Sequence, residues 1–110
     1  MPHAELRYSS DLQIDAAAVL ARIEEVIQAH DAGSGACKGR AYPAQVFHHT
    51  HCLLTLSLLT KPHRDAAFTH ALMADVEAAV KAMIPQSCYF SLGLEYSGAT
   101  YVTNRHEVAA

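Results

Sequence analysis

The chain reads as a single α+β domain over residues 1–110, built β-α-β-β-α-β with a short C-terminal tail. Three observations predict this. Two stretches, residues 15–30 and 62–83, repeat apolar side chains at helical spacing, while three others alternate or run apolar at strand length. The order makes two successive βαβ units, and right-handed crossovers place both helices on one face of a mixed four-stranded sheet. At 110 residues, 51% of them hydrophobic, the chain is long enough for one modest core and no more.

The first strand opens at the second residue. In MPHAELRYSS, Ala4, Leu6 and Tyr8 alternate with His3, Glu5 and Arg7, the period-2 pattern of a half-buried strand. In DAAAVLARIEEVIQAH, Val19, Leu20, Ile23, Val26, Ile27 and His30 share a helical stripe, and Asp15 is the expected N-cap. The following DAGSG supplies Gly33 and Gly35 to stop the helix. KGRAYPAQVFHH is a weaker second strand, which Pro43 assigns to an edge or a bulge. HCLLTLSLLT reads as a buried third strand.

Pro62 is expected to open the second helix, with Phe68, Leu72, Val76, Val80 and Met83 on one stripe, ending near IPQS. CYFSLGLEYS then alternates Phe90, Leu92, Leu94 and Tyr96 against Tyr89, Ser91, Gly93 and Glu95. Residues 99–110 form the tail. A strand as apolar as residues 52–59 should be covered on both faces. Since no residues remain for another layer, a second copy of the chain is the expected cover.

Charge and cysteine usage exclude some partners. A net charge of −3 argues against nucleic acid and anionic membranes. Glu5 and Arg7 interrupt any leader-like apolar run, and nothing approaches the roughly 20 apolar residues of a membrane span. Cys37, Cys52 and Cys88 are odd in number and lack CxxC spacing, so reduced, unreactive thiols in the cytoplasm are expected. In VFHHTHC, His49 and His51 would share a face of an extended strand. No second ligand set accompanies them, so His48, His49 and His51 read as surface histidines and no metal is assigned.

The chemistry concentrates at Pro2. A small second residue permits removal of the initiator methionine, which would leave a rigid secondary amine at the head of a strand. Burial or neighbouring cations would lower its pKa towards neutrality, suiting it to carry a proton between oxygen and carbon of an enol or dienol. With Met1 retained, the same nitrogen is an amide and cannot act. Taken by position alone, Pro2 reads as a loose terminal residue; the alternating strand directly behind it favours the chemical role. Lys61, placed just before Pro62 at the expected helix start, and Lys38 or Arg40, at the entrance of the second strand, are the candidate anion-binding groups. His63 and Arg64 could line the same site, and Tyr96 and Tyr101 could wall a pocket or pack between subunits.

Ferredoxin-like sandwiches and the tautomerase fold share this element order, so residues must choose between them. PHAELRYSSDL resembles the opening of the 5-carboxymethyl-2-hydroxymuconate isomerase family, within the tautomerase superfamily, whose members begin Pro-His and continue as a strand into a Tyr/Cys-Ser turn. The likeness resumes at ACKGRAY, LTLSLLTKP and FSLGLEY, and in the tail at Asn104 and His106. The resemblance implies a tautomerase-like fold, a homotrimer, and an isomerase of aromatic-compound catabolism that uses no cofactor. It also implies Pro2 as the acid/base on an unsaturated dicarboxylate. Where the family carries arginines, this chain has Lys38, Arg40 and Lys61; lysine keeps the charge but loses the planar fork that grips a carboxylate twice. The loops near residues 31–36 and 43–50 are shorter than the family's. A tautomerase-like or ferredoxin-like module that only binds a small ligand or a protein is the alternative reading.

Overall fold

The computed structural model describes residues 1–109. Strand β1 (His3–Ser9) is followed by helix α1 (Ala16–His30), a single 3-10 turn at Ala32–Ser34, strands β2 (Lys38–Ala44) and β3 (His51–Leu59), helix α2 (Ala66–Lys81) and strand β4 (Tyr89–Ser97). The sheet order is β2-β1-β3-β4. β1 runs parallel to β2 and antiparallel to β3, and β3 runs parallel to β4. This is the expected mixed four-stranded sheet of two βαβ units.

Alternation decides what the sheet buries. Ala4 and Leu6 of β1 and Cys52, Leu54, Leu56 and Leu58 of β3 are buried. They share one core with Val19, Ile23, Val26 and Ile27 of α1 and Leu72, Val76 and Val80 of α2. Both helices therefore lie on one face, α1 against β2 and α2 against β4. Each large aliphatic side chain so buried stabilises the fold by roughly 2 kcal/mol before ordering costs. The helix starts follow from carboxylate caps: Asp15 accepts from the Ala18 N–H at 3.1 Å, and Asp65 from the Phe68 N–H at 2.9 Å.

Four local expectations are corrected. α2 starts at Ala66 rather than at Pro62. Pro62 instead sits second in a turn closed by the Arg64 N–H on the Lys61 carbonyl at 3.0 Å, the position its fixed φ favours. β2 ends at Ala44 rather than running to the histidines, although it is an edge strand as Pro43 required. His49 adopts a left-handed φ of 64°, so His49 and His51 do not lie on one extended strand. The face of β3 away from the helices is also less apolar than expected, since Thr55 and Ser57 alternate there with Leu53 and Leu59.

Among the described residues no helix is long and apolar enough to cross a membrane. No group of three or more His, Cys, Asp or Glu side chains among them is placed to hold a metal ion. His51 Nδ1 lies 2.8 Å from the His49 carbonyl. All three cysteines are free, and burial pushes the thiols of Cys37 and Cys52 up to about 11.

Candidate active site

Pro2 is fully buried at the head of β1. Its carbonyl accepts the Lys38 N–H at 3.0 Å, which carries the β1–β2 ladder past the first strand residue. The chain start is thus held between the core and the first residue of β2. Met1 is only partly buried. Its amine lies below the ordinary value of 8.0, chiefly through burial and then through the charges of Lys38, Lys61 and Arg64. An amine at this end of the chain therefore sits in a positive field made by three cations from two segments, the start of β2 and the turn after β3.

Lys38 stands closest to the terminus in its contacts, with Nζ touching the Met1 sulfur and donating to the Ala36 carbonyl at 3.0 Å. Lys61 borders a cleft of about 450 Å³ with Thr60, Ser97, Gly98 and Tyr101. A smaller cavity of about 200 Å³ joins Met1 to Ser57, Glu95, Tyr96, Ser97 and Tyr101. Ser97 and Tyr101 line both spaces, so a concave surface runs from the chain start to Lys61. Tyr96 is fixed from behind, its hydroxyl paired with Thr69 Oγ1.

Arg40 is placed differently. Its Nε donates to Glu5 at 3.2 Å and its Nη1 approaches His3 Nδ1 at 3.3 Å. Arginine can only donate, so Nδ1 accepts and a neutral His3 carries its proton on Nε2. Burial foremost, then Arg40 and Lys38, lowers the His3 pKa from 6.5, which keeps the ring uncharged at neutral pH. Of the three candidate cations, Lys38 and Lys61 act on the terminal amine, while Arg40 is engaged by Glu5.

Arg64 is the cation whose setting the sequence left open. Its side chain is 3% exposed, donating from Nε and Nη2 to Asp31 at 3.1 and 2.8 Å and from Nη1 to the Leu59 carbonyl at 2.8 Å. His63 Nε2 also donates to Asp31, at 2.8 Å. The hydrogen bonds from His63 and then from Arg64 hold the Asp31 carboxyl down at about 2.

Sequence reasoning did not single out Ser57 or Glu95. They are cross-strand partners in the β3–β4 register, and Ser57 also faces His3 on β1. This row on the sheet face could have been found from alternation once the strand order was known.

A mixed sheet of two βαβ units, both helices on one face and a cleft at the chain start, defines the tautomerase fold. No family model matches the chain, and no curated protein sequence does either. Solved structures do. A 5-carboxymethyl-2-hydroxymuconate delta-isomerase superposes with a TM-score of 0.67 at 19% identity, covering 97% of this chain and 89% of the other. A fused wild-type 4-OT symmetric trimer gives 0.71 at 14% identity over 97% and 94%. A 5-carboxymethyl-2-hydroxymuconate isomerase from Deinococcus radiodurans gives 0.60 at 20% over 94% and 90%. At these identities the likeness is one of fold.

Proposed function

We propose that this protein is a cofactor-independent tautomerase, shifting a proton within an enol or dienol carboxylate of the 5-carboxymethyl-2-hydroxymuconate type. The observation that carries the reading is the buried Pro2 beneath a chain start that Lys38 and Lys61 make positive. Removal of Met1 converts the Pro2 amide into a secondary amine at that point. The neutral amine takes the proton from the enol oxygen and the ammonium so formed delivers it to carbon; in the reverse direction the neutral amine removes the carbon proton and the ammonium returns it to oxygen. Lys38 and Lys61 hold the carboxylate and offset the charge of the dienolate as it forms. Arg40, tied to Glu5, contributes to the field around His3 rather than as a direct grip. The structural likeness to two isomerases and to a 4-OT assembly supports the same chemistry.

The working form in this proposal is a cytoplasmic homotrimer. Leu53, Tyr42 and Tyr89 are exposed on the face opposite the helices, and both sheet edges, β2 and β4, lack a partner strand. The fused 4-OT structure is a symmetric trimer. Sedimentation at the monomer mass across the micromolar range would sink this part of the reading.

A non-catalytic binding module is the second reading. It is favoured by the Met1 side chain, which borders the cavity and meets Lys38. Intact mass and peptide mapping after 3-bromopyruvate treatment separate the two. Loss of Met1 with one adduct on Pro2 supports the tautomerase; retained Met1, or an unmodified Pro2, supports the module.

A further inference from the structure

The segment that carries Lys61 is held by a residue far away in sequence. It leaves β3 at Leu59, turns through Pro62 and His63, and reaches the Asp65 cap of α2. Lys61 offers its carbonyl to the Arg64 N–H, and Leu59 offers its carbonyl to Arg64 Nη1. The Arg64 guanidinium therefore braces the turn from inside. The brace ends on Asp31, one residue past α1, whose Oδ2 receives Arg64 Nε, Arg64 Nη2 and His63 Nε2. Asp31 is itself rigid: its N–H donates to the Ile27 carbonyl at 2.9 Å, and its Oδ1 accepts from Gly33. Its side chain is 12% exposed. A carboxylate at that depth, with three converging donors, orders everything attached to it.

We propose that Asp31 is a positioning residue that anchors the Lys61 turn to the end of α1 and so sets Lys61 against the chain start. The anchor follows from hydrogen bonds alone; its value for substrate binding rests on the tautomerase reading above. Asp31 touches no reacting atom. It acts through Arg64, which ties two carbonyls, and through His63, which takes the remaining approach to the same oxygen. An asparagine at 31 loses the charge that strengthens all three bonds, and with its oxygen kept towards the three donors its NH2 group replaces the Oδ1 that accepts from Gly33.

The test compares wild type with Asp31→Asn and Asp31→Glu by amide hydrogen exchange, read at Arg64 and at core amides of β3. The expected result is Arg64 exchange faster by tenfold or more in the Asn variant, unchanged core exchange, and substantial recovery in the Glu variant. Wild-type protection at Arg64 in the Asn variant, or a Glu variant no better than Asn, overturns the anchor. If the Asn variant does not fold, Arg64→Lys supplies the same readout, since one ammonium cannot reach both Asp31 and Leu59. The rate at which 3-bromopyruvate labels Pro2, divided by that for neutral iodoacetamide, is measured on the same samples. A tenfold fall in this ratio together with the loosened turn supports the positioning role. A loosened turn with an unchanged ratio leaves the anchor standing and removes Lys61 from the proposed anion site.

Discussion

The Lys38 N–H donates to the Pro2 carbonyl across 3.0 Å, so the first residue of β2 and the residue ahead of β1 are held as one unit. Through that bond, a cation from the middle of the chain is delivered to its beginning. Pairing of the parallel strands fixes the separation, with His3 opposite Lys38 and Glu5 opposite Arg40.

Replacing Pro2 with alanine tests the proposed base. The variant keeps a terminal amine but loses its rigidity and its secondary-amine character. Turnover of an enol carboxylate should fall by about 10²-fold, at the lower end of the usual worth of acid–base catalysis. Equal turnover by both proteins would remove Pro2 from the reaction.

The pH profile follows from the positive field at the chain start. A general base works unprotonated, so kcat/KM should rise with pH through the amine pKa and then level off. Burial, then the charges of Lys38 and Lys61, lowers the pKa of the Met1 amine by disfavouring the ammonium form, and the same two charges should act on an amine at Pro2, one residue further in. Lys38→Ala and Lys61→Ala should each move the rising limb to higher pH. A limb that stays in place in both variants would contradict the arrangement.

Lys61 should also bind charge. Lys61→Ala is expected to raise KM for an anionic substrate about tenfold, the loss of about 1.4 kcal/mol of charge-assisted binding. Lys61→Arg should restore KM at least to the wild-type value, since the guanidinium offers two parallel donors. Steady-state kinetics on the two variants decide the point, and an unchanged KM in Lys61→Ala would exclude it.

Asp31 should govern stability in acid. Its carboxyl titrates at about 2, against an ordinary 3.8, so the folded state binds this proton less readily than the unfolded chain. The stabilisation is full above roughly pH 4 and is lost as pH falls towards 2; at about 1.4 kcal/mol per pKa unit it amounts to about 2 kcal/mol. Denaturant unfolding of Asp31→Asn should lose less stability than wild type between pH 5 and pH 2. Parallel curves for the two proteins would show that other carboxylates carry the acid response.

Gly39 is a packing test beside the site. A Cβ there would lie 2.9 Å from Leu20 Cδ2 and 3.3 Å from Leu20 Cβ and Cγ. The Leu20 tip can turn aside, but its Cβ is tied to α1. Gly39→Ala should therefore destabilise by about 1 kcal/mol, visible as a lower Tm. An unchanged or higher Tm would mean that α1 shifts freely over β2.

Most of the architecture was legible in the sequence because strand and helix periods are local. The alternation from His3 to Tyr8 and the stripe from Val19 to Ile27 place their elements without knowledge of neighbours. The start of α2 was not, because Pro62 suits a helix's first turn and a β-turn equally well. Asp65, by capping at Phe68, decided between them. The end of β2 failed for a related reason: Val46, Phe47 and His48 could continue a strand, but the chain bends at Gln45 and Val46, directly after Ala44, and turns again through the positive φ at His49.

The order of elements, their buried faces and the placing of a proline ahead of the first strand were set by the sequence alone. All of these depend on residues close together in the chain. The tertiary structure decided which charges face the chain start. Lys38, Lys61 and Arg64 reach the chain start through strand pairing and a turn, and Asp31 meets Arg64 across 33 positions. Arg40, two residues from Lys38, is instead taken by Glu5 on the neighbouring strand. Electrostatic fields depend on distance in space, and only the register of the folded sheet sets that distance.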